Sequence, residues 1–418
     1  MIYLDHAATT PVPRPVADAM YQVLTEQFGN PSSQYPLGRE AKALVEEGRA
    51  VVAGALGCRP ENLHFTSCGT ESDNWAISAA VWQGRHTGRH IITTAVEHSA
   101  VLEPCKLLQQ QGYEVTYLAP DKTGHVTAEQ VAQALREDTV LVSMMLVNNE
   151  TGCIFPVREV ARLLREKNSR ALLHCDAVQG FLKVPFAAKT LGADLISVSS
   201  HKIHGPKGCG TLYISPRLKS FPALLQGGGQ EGGYRSGTEA TPAIFGFAAA
   251  CTALSATFNA DASREKALLS HAVSQLSKLD GLVVNGAHDA PHILSPAYLP
   301  RTPSIFCKTT ASAFPPVPPV PRGTAAMCWK PWGCLRRSWT APSGSPCAGT
   351  PPPRSWTLSF RSSGRRSFPG QDDAFQSSDS ACADRRFCGK CNHATKKLQT
   401  PLVFSARFCY NSGILWNL

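Results

Sequence analysis

At 418 residues the chain has material for one large domain and a smaller one. Its formal net charge of +10 invites an acidic partner, yet residues 1–295 carry 25 Lys and Arg against 27 Asp and Glu, while residues 296–418 carry 16 against 4. The basicity belongs to the tail, which offers neither a folded basic face nor a recognition motif, so nucleic-acid binding is not expected.

The opening MIYLDHAATT lacks a charged region followed by an apolar one, and no apolar stretch is read as approaching the roughly 18 residues of a spanning helix. The expectation is a cytoplasmic protein with no membrane segment. Seven cysteines of the body (Cys58, Cys68, Cys105, Cys153, Cys175, Cys209, Cys251) show no ligand spacing. They read as reduced, mostly buried thiols. A lone CGKC at Cys388–Cys391, near His393, has no second pair, and no metal site is expected.

From residue 60 to about 215, β-rich runs alternate with helical patterns. NLHFTS precedes TESDNWAISAAVW, HIITTAV precedes SAVLEPCKLLQQQ, and YEVTYLA precedes TAEQVAQAL. TVLVSMMLV precedes PVREVARLLREKN, and ALLHCDA, ADLISVSS and GTLYIS follow. This alternation predicts an α/β fold, a mostly parallel, doubly wound sheet with helices on both faces. The central runs are continuously apolar, as strands covered on both sides should be. Ligands of such sheets sit beyond the carboxyl ends of the strands.

Polar groups stand after those strands: Thr66 to Thr70, Glu97-His98, Asn148-Asn149-Glu150, Asp176 to Gln179, and Ser199-Ser200-His201-Lys202. Singly, each has a bland explanation as a cap, a turn or a solvated loop. Together they suit a pyridoxal phosphate site, which needs a lysine for the aldehyde, a carboxylate for the pyridine nitrogen, a plane against the ring and a phosphate cradle. Lys202, Asp176 and His98 fit the first three roles. Gly69-Thr70 at a helix start offers N–H groups and a hydroxyl to the phosphate.

The stretches YLDHAATT, GNPSS, TESDN, EHSAV, VNNETG, HCDAVQ, SSHKIHGPKG and YRSGTEA resemble the cysteine desulfurases, members of the class V aminotransferase group of fold-type I pyridoxal phosphate enzymes. The resemblance covers residues 1 to 295. It implies Lys202 as the Schiff-base lysine, Asp176 on the pyridine nitrogen, Gln179 on the phenolic oxygen, and His98 stacked on the ring and moving protons. It implies Thr70, Ser199 and His201 on the phosphate and Asn149 close to ring and substrate, with Gly69 and Ser200 also expected among the cofactor-binding residues. Thr238 would reach the phosphate of a neighbouring subunit, which implies a homodimer. The implied reaction turns L-cysteine into L-alanine and leaves a persulfide for a sulfur-acceptor protein, an iron–sulfur scaffold or a thiolation protein. One departure is Cys68, where the family usually has glycine.

The resemblance also implies domains: a large cofactor-binding domain over 1–255, the first ~15 residues packing with a small domain that begins at 256–295, and a basic, proline-rich tail over 296–418. The family's nucleophile loop, resembling SAGSAC, and its substrate-binding arginine do not follow. Instead come PPVPPVPRG and GTPPPRSW, and no glutamate occurs after Glu265. Cys307, Cys328 and Cys334 lack the Ser/Gly context of the nucleophile. Permitted codons for Ala311–Val320, read two bases on, spell Ile-Ser-Val-Ser-Ala-Gly-Ser-Ala-Cys, and two later stretches yield family-like segments in the same frame. The tail is therefore read as frameshifted near Ser295. Two other readings stand beside the desulfurase: a remnant that binds cofactor without transferring sulfur, and a sister class V enzyme such as a selenocysteine lyase.

Overall fold

Each β-rich run becomes a strand, and the reason lies in what covers it. The computed structural model describes residues 3, 5–278, 283–285 and 295–297. In chain order the elements are α1 (Arg14–Thr25), α2 (Pro36–Leu56), β1 (Leu63–Thr66), α3 (Gly69–Gly84), β2 (His90–Thr94), α4 (Ser99–Gln110), β3 (Glu114–Leu118), α5 (Ala128–Ala134) and β4 (Thr139–Ser143). Then come α6 (Val157–Glu166), β5 (Leu172–Asp176), α7 (Ala188–Leu191), β6 (Leu195–Ser199), β7 (Gly210–Ile214) and α8 (Thr241–Leu276), with a short hairpin of β8 (Val283–Asn285) and β9 (Ser295–Ala297).

The seven strands β1 to β7 form one sheet in the order β1-β7-β6-β5-β4-β2-β3. Neighbours in the strands part to opposite faces, as the period of two requires. Ile92, Val142, Leu173 and Ile196 join a core with α1, α2, α6 and α8. Ile91, Leu141, Leu172 and Leu195 join another with Trp75, Ala76 and Ile77 of α3 and Val101 of α4. With both faces covered, β2, β4, β5 and β6 are buried along their whole length.

The parallel expectation has one exception, since β7 runs antiparallel to both β6 and β1. Only residues 200–209 separate β6 from β7, too few for a helical crossover, so the chain must turn back. That turn carries Lys202.

Helix α8 runs unbroken from Thr241 to Leu276, across the boundary expected at 255/256. It also holds an 18-residue window apolar enough, by length and composition, to cross a membrane, which corrects the sequence reading that none exists. Ile244, Phe247, Ala248, Ala250 and Cys251 of its first half are buried in the core with Val16 of α1 and Val45 and Val52 of α2. That packing accounts for their apolar character.

Candidate active site

Strands β1, β2, β4, β5 and β6 point their carboxyl ends the same way, and a cavity of about 530 Å³ opens there. Its lining includes Gly69, Thr70, His98, Asn149, Asp176, Gln179, Ser199, His201 and Lys202. Nine of the site residues expected from sequence thus meet in one hollow. Ser200 stands directly behind, fully buried. Thr238 is exposed and lines a separate hollow of about 200 Å³ with Glu231 and Arg235.

Lys202 ends the turn Ser200–Lys202 that follows β6. Its Nζ donates to the carbonyl oxygens of Ala7 and Ala8, the second at 2.9 Å. Burial pushes its ammonium below the ordinary value, while Asp5 and Asp176 oppose that shift. Asp176 ends β5, next to β6 in parallel register. It is 6% exposed, and its Oδ1 accepts from the Val178 N–H at 2.9 Å. Burial, then the neighbouring Asp73, raises its carboxyl to about 7. A cation at this carboxylate would be strongly favoured, because charge in a dry site seeks a partner.

His98 caps α4: its Nδ1 accepts from the Ala100 N–H at 3.1 Å. An accepting Nδ1 leaves the ring proton on Nε2, the nitrogen left to face a ligand. Gln179 is held by both ends of its amide, with Nε2 donating to Ala7 O at 2.8 Å and Oε1 accepting from Lys183 Nζ at 2.9 Å. His201 meets Thr9 through Nδ1 and Oγ1 at 3.1 Å. Burial, then the lysines Lys202, Lys207 and Lys183, pushes its imidazole down to about 4.

The phosphate side is recognisable by what it leaves unpaired. Among the described residues the buried hydroxyl oxygens of Ser199 and Ser200 find no hydrogen-bond partner. Helix α3 begins at Gly69 with no side-chain cap, so its first N–H groups are free for an anion. A Cβ at Gly69 would lie 2.8 Å from Val178 Cγ2, so only glycine keeps this wall in place. Cys68 has φ −175° and ψ 173°, extended backbone that any residue adopts, so cysteine in place of glycine costs no strain.

Some polar residues at the strand ends are structural. Glu97 Oε1 accepts from Thr94 Oγ1 and the Met145 N–H, tying the end of β2 to that of β4. Asn148 Oδ1 accepts from the N–H groups of Glu150 and Thr151 and so shapes a turn. The sequence reading missed three participants. The N-terminal segment from Ala7 to Thr10 closes on the turn that bears Lys202. Asp73, inside TESDN, lines the cavity, 3.4 Å from His174 Nε2. Lys183 stands four residues past Gln179.

A sequence model of the aminotransferase class-V family matches residues 2–298. The chain belongs to the class-V aminotransferase family. Within it the chain is 47% identical to the cysteine desulfurase IscS of Methanosarcina thermophila over 59% of this chain and 60% of that protein. It is 41% identical to the cysteine desulfurase IscS of Anaeromyxobacter sp. (strain K) over 71% of this chain and 74% of that one. The match to the first of these thus spans less than two thirds of its length. A solved NifS-like protein superimposes with a TM-score of 0.67 at 40% identity, covering 70% of this chain and 79% of that structure. The cofactor of this family is pyridoxal phosphate. The residues present fit it: a lysine and a buried carboxylate on adjacent strand ends, and orphaned hydroxyls beside an uncapped helix start.

Proposed function

We propose that this chain carries the cofactor cradle of a cysteine desulfurase, acting on L-cysteine and yielding L-alanine and a persulfide. Lys202 would attach the cofactor, Asp176 would keep its ring nitrogen protonated, and Gln179 would donate to its phenolic oxygen. His98 would lie against the ring and could move a proton through Nε2. Gly69, Thr70, Ser199, Ser200 and His201 would hold the phosphate, and Asn149 would border the substrate. Thr238 serves the phosphate of a second copy, which would explain its exposure away from its own cavity. When bound, pyridoxal phosphate supplies an electron sink for the substrate carbon. The observation that carries the reading is the meeting of Lys202, Asp176 and His98 with the phosphate-side residues in one cavity.

The substrate follows from relatives named cysteine desulfurase and from a 36% identical solved structure, SspA in complex with cysteine. The sulfur then passes to an acceptor protein such as an iron–sulfur scaffold. A reducing, cytoplasmic setting is supported by the buried, unbridged thiols of Cys105, Cys175, Cys209 and Cys251.

Sulfur transfer also needs a positioned thiolate and a held substrate carboxylate. The family match ends at residue 298, which supports a frameshift near Ser295. Cys307, Cys328, Cys334, the rest of the tail and most of the expected small domain lie outside the described residues. On this reading the 418-residue chain binds the cofactor and, with no cysteine in the SAGSAC context, is expected to transfer no sulfur. Assayed with L-cysteine, it should release no sulfide above that from free pyridoxal phosphate. A chain repaired to read through SAGSAC should release it and lose persulfide when that cysteine becomes alanine. Robust turnover by the unrepaired chain would overturn the frameshift reading.

A further inference from the structure

Lys183 is a half-buried ammonium whose position the mechanism leaves unexplained. Among the described residues no carboxylate lies within ion-pair distance of it, and its bond is to an amide oxygen, Gln179 Oε1, at 2.9 Å. Its neighbours worsen its situation, because burial and the charge of Lys202 push it down to about 7 while Glu265 offers only partial relief. The backbone delivers it there by a strained route. Residues Gly180 to Val184 form a tight turn, and Leu182 inside it sits at φ 52°, a left-handed conformation that bulky residues rarely adopt. Phe181, between the glycine and the leucine, is buried edge-on against Phe247 of α8. The turn is anchored on one side, and the next side chain but one reaches Gln179.

The consequence is for Gln179. A glutamine amide has an accepting and a donating end that can exchange by a flip. Lysine can only donate and a backbone carbonyl can only accept. With Lys183 Nζ on Oε1 and Ala7 O on Nε2, only one orientation satisfies both partners. We propose that Lys183 is a positioning residue: it pins the Gln179 amide so that its N–H edge, never its oxygen, is presented at the cofactor's oxygen. This rests on the functional reading above. Without the ammonium only the Ala7 carbonyl still favours that orientation, so the flipped amide, which sets an oxygen against the cofactor's oxygen, becomes easier to populate.

A double-mutant cycle on cofactor affinity tests it, with the full chain stripped of cofactor and titrated with pyridoxal phosphate by its visible absorption band. Lys183→Met and Gln179→Met should each weaken binding about tenfold, the weight of one charge-assisted hydrogen bond. The double variant should be weakened about tenfold too, because both substitutions remove one interaction. Lys183→Arg, which keeps a cationic donor, should bind like the parent. Lys183→Gln, too short to reach Gln179 but tolerant of half-burial, should repeat the loss if the methionine variant folds poorly. Additive losses of about a hundredfold in the double variant, or unchanged affinity in both Lys183→Met and Lys183→Gln, would overturn the positioning role. A parent chain that develops no band at all would overturn the functional reading itself, and the inference with it.

Discussion

The two ends of the sheet carry hollows of opposite character. At the amino end a hollow of about 860 Å³ is lined by Arg59, Arg165, Lys189, Arg217 and Asp194. Its cations stand in or near solvent and two find partners, Arg217 on the buried Asp194 and Arg59 on Glu61. At the carboxyl end the hollow is smaller, about 530 Å³, yet two buried carboxyls are held near 7, one lysine is depressed, and two buried hydroxyls lack partners. The larger space holds solvated charge, which is nearly neutral for stability. The smaller one holds polar groups whose burial is costly until a ligand meets them. Chemistry marks the site where volume does not.

That contrast can be broken in several ways, the severest first. Lys202→Ala should abolish the visible band formed with pyridoxal phosphate, while a band that persists and is removed by borohydride would move the aldehyde to another lysine. Arg49→Ala tests a buried charge that the protein itself satisfies. Arg49 bonds Glu231 at 2.7 Å and 2.8 Å, and Glu231 also accepts from the Phe65 N–H. Removing the arginine strands a buried carboxylate and should cost about 3–5 kcal/mol in chemical unfolding. A loss within experimental error would show that water reaches Glu231.

Asp73→Asn should have a smaller effect with a definite pH dependence. Burial raises the Asp73 carboxyl from its ordinary value to about 7. The folded chain then holds that proton more tightly than the unfolded chain across the interval between the two values, so stability from this group falls as pH rises through it. In cofactor-free protein, Asp73→Asn should therefore gain stability relative to the parent between about pH 4 and pH 7. A difference that stays flat with pH would mean that Asp73 is ionised throughout. The smallest effect belongs to the amino end. Arg165→Ala and Lys189→Ala should each shift stability by less than about 0.5 kcal/mol, and neither should alter the visible band. A changed band in either would undo the contrast.

The strands and helices were legible because both faces of the sheet are covered, and β1, β2, β4, β5 and β6 each end in a polar residue. The direction of β7 was encoded less visibly, in the length of the ten-residue link before it. The cavity residues could be named from their place after strands, yet Glu97 and Asn148 stood in equivalent places and proved structural. The N-terminal segment and Lys183 were not legible as participants. Ala7 meets Gln179 across 172 residues and Lys202 across 195, and no periodicity or spacing encodes such contacts. Lys183 reads in sequence as an ordinary loop lysine, and only its distance to Gln179 shows otherwise.

Lys202 lies close enough to Lys183 to lower that second lysine's affinity for protons, so the central claim rests on which of them takes the aldehyde. The direct measurement is to mix the full chain with pyridoxal phosphate, reduce with borohydride, digest, and locate the pyridoxyl group by mass spectrometry. It should be found on the peptide containing Lys202 and nowhere else in stoichiometric amount. A label on Lys183, or one scattered over surface lysines, would contradict the assignment of Lys202 and of the cavity around it.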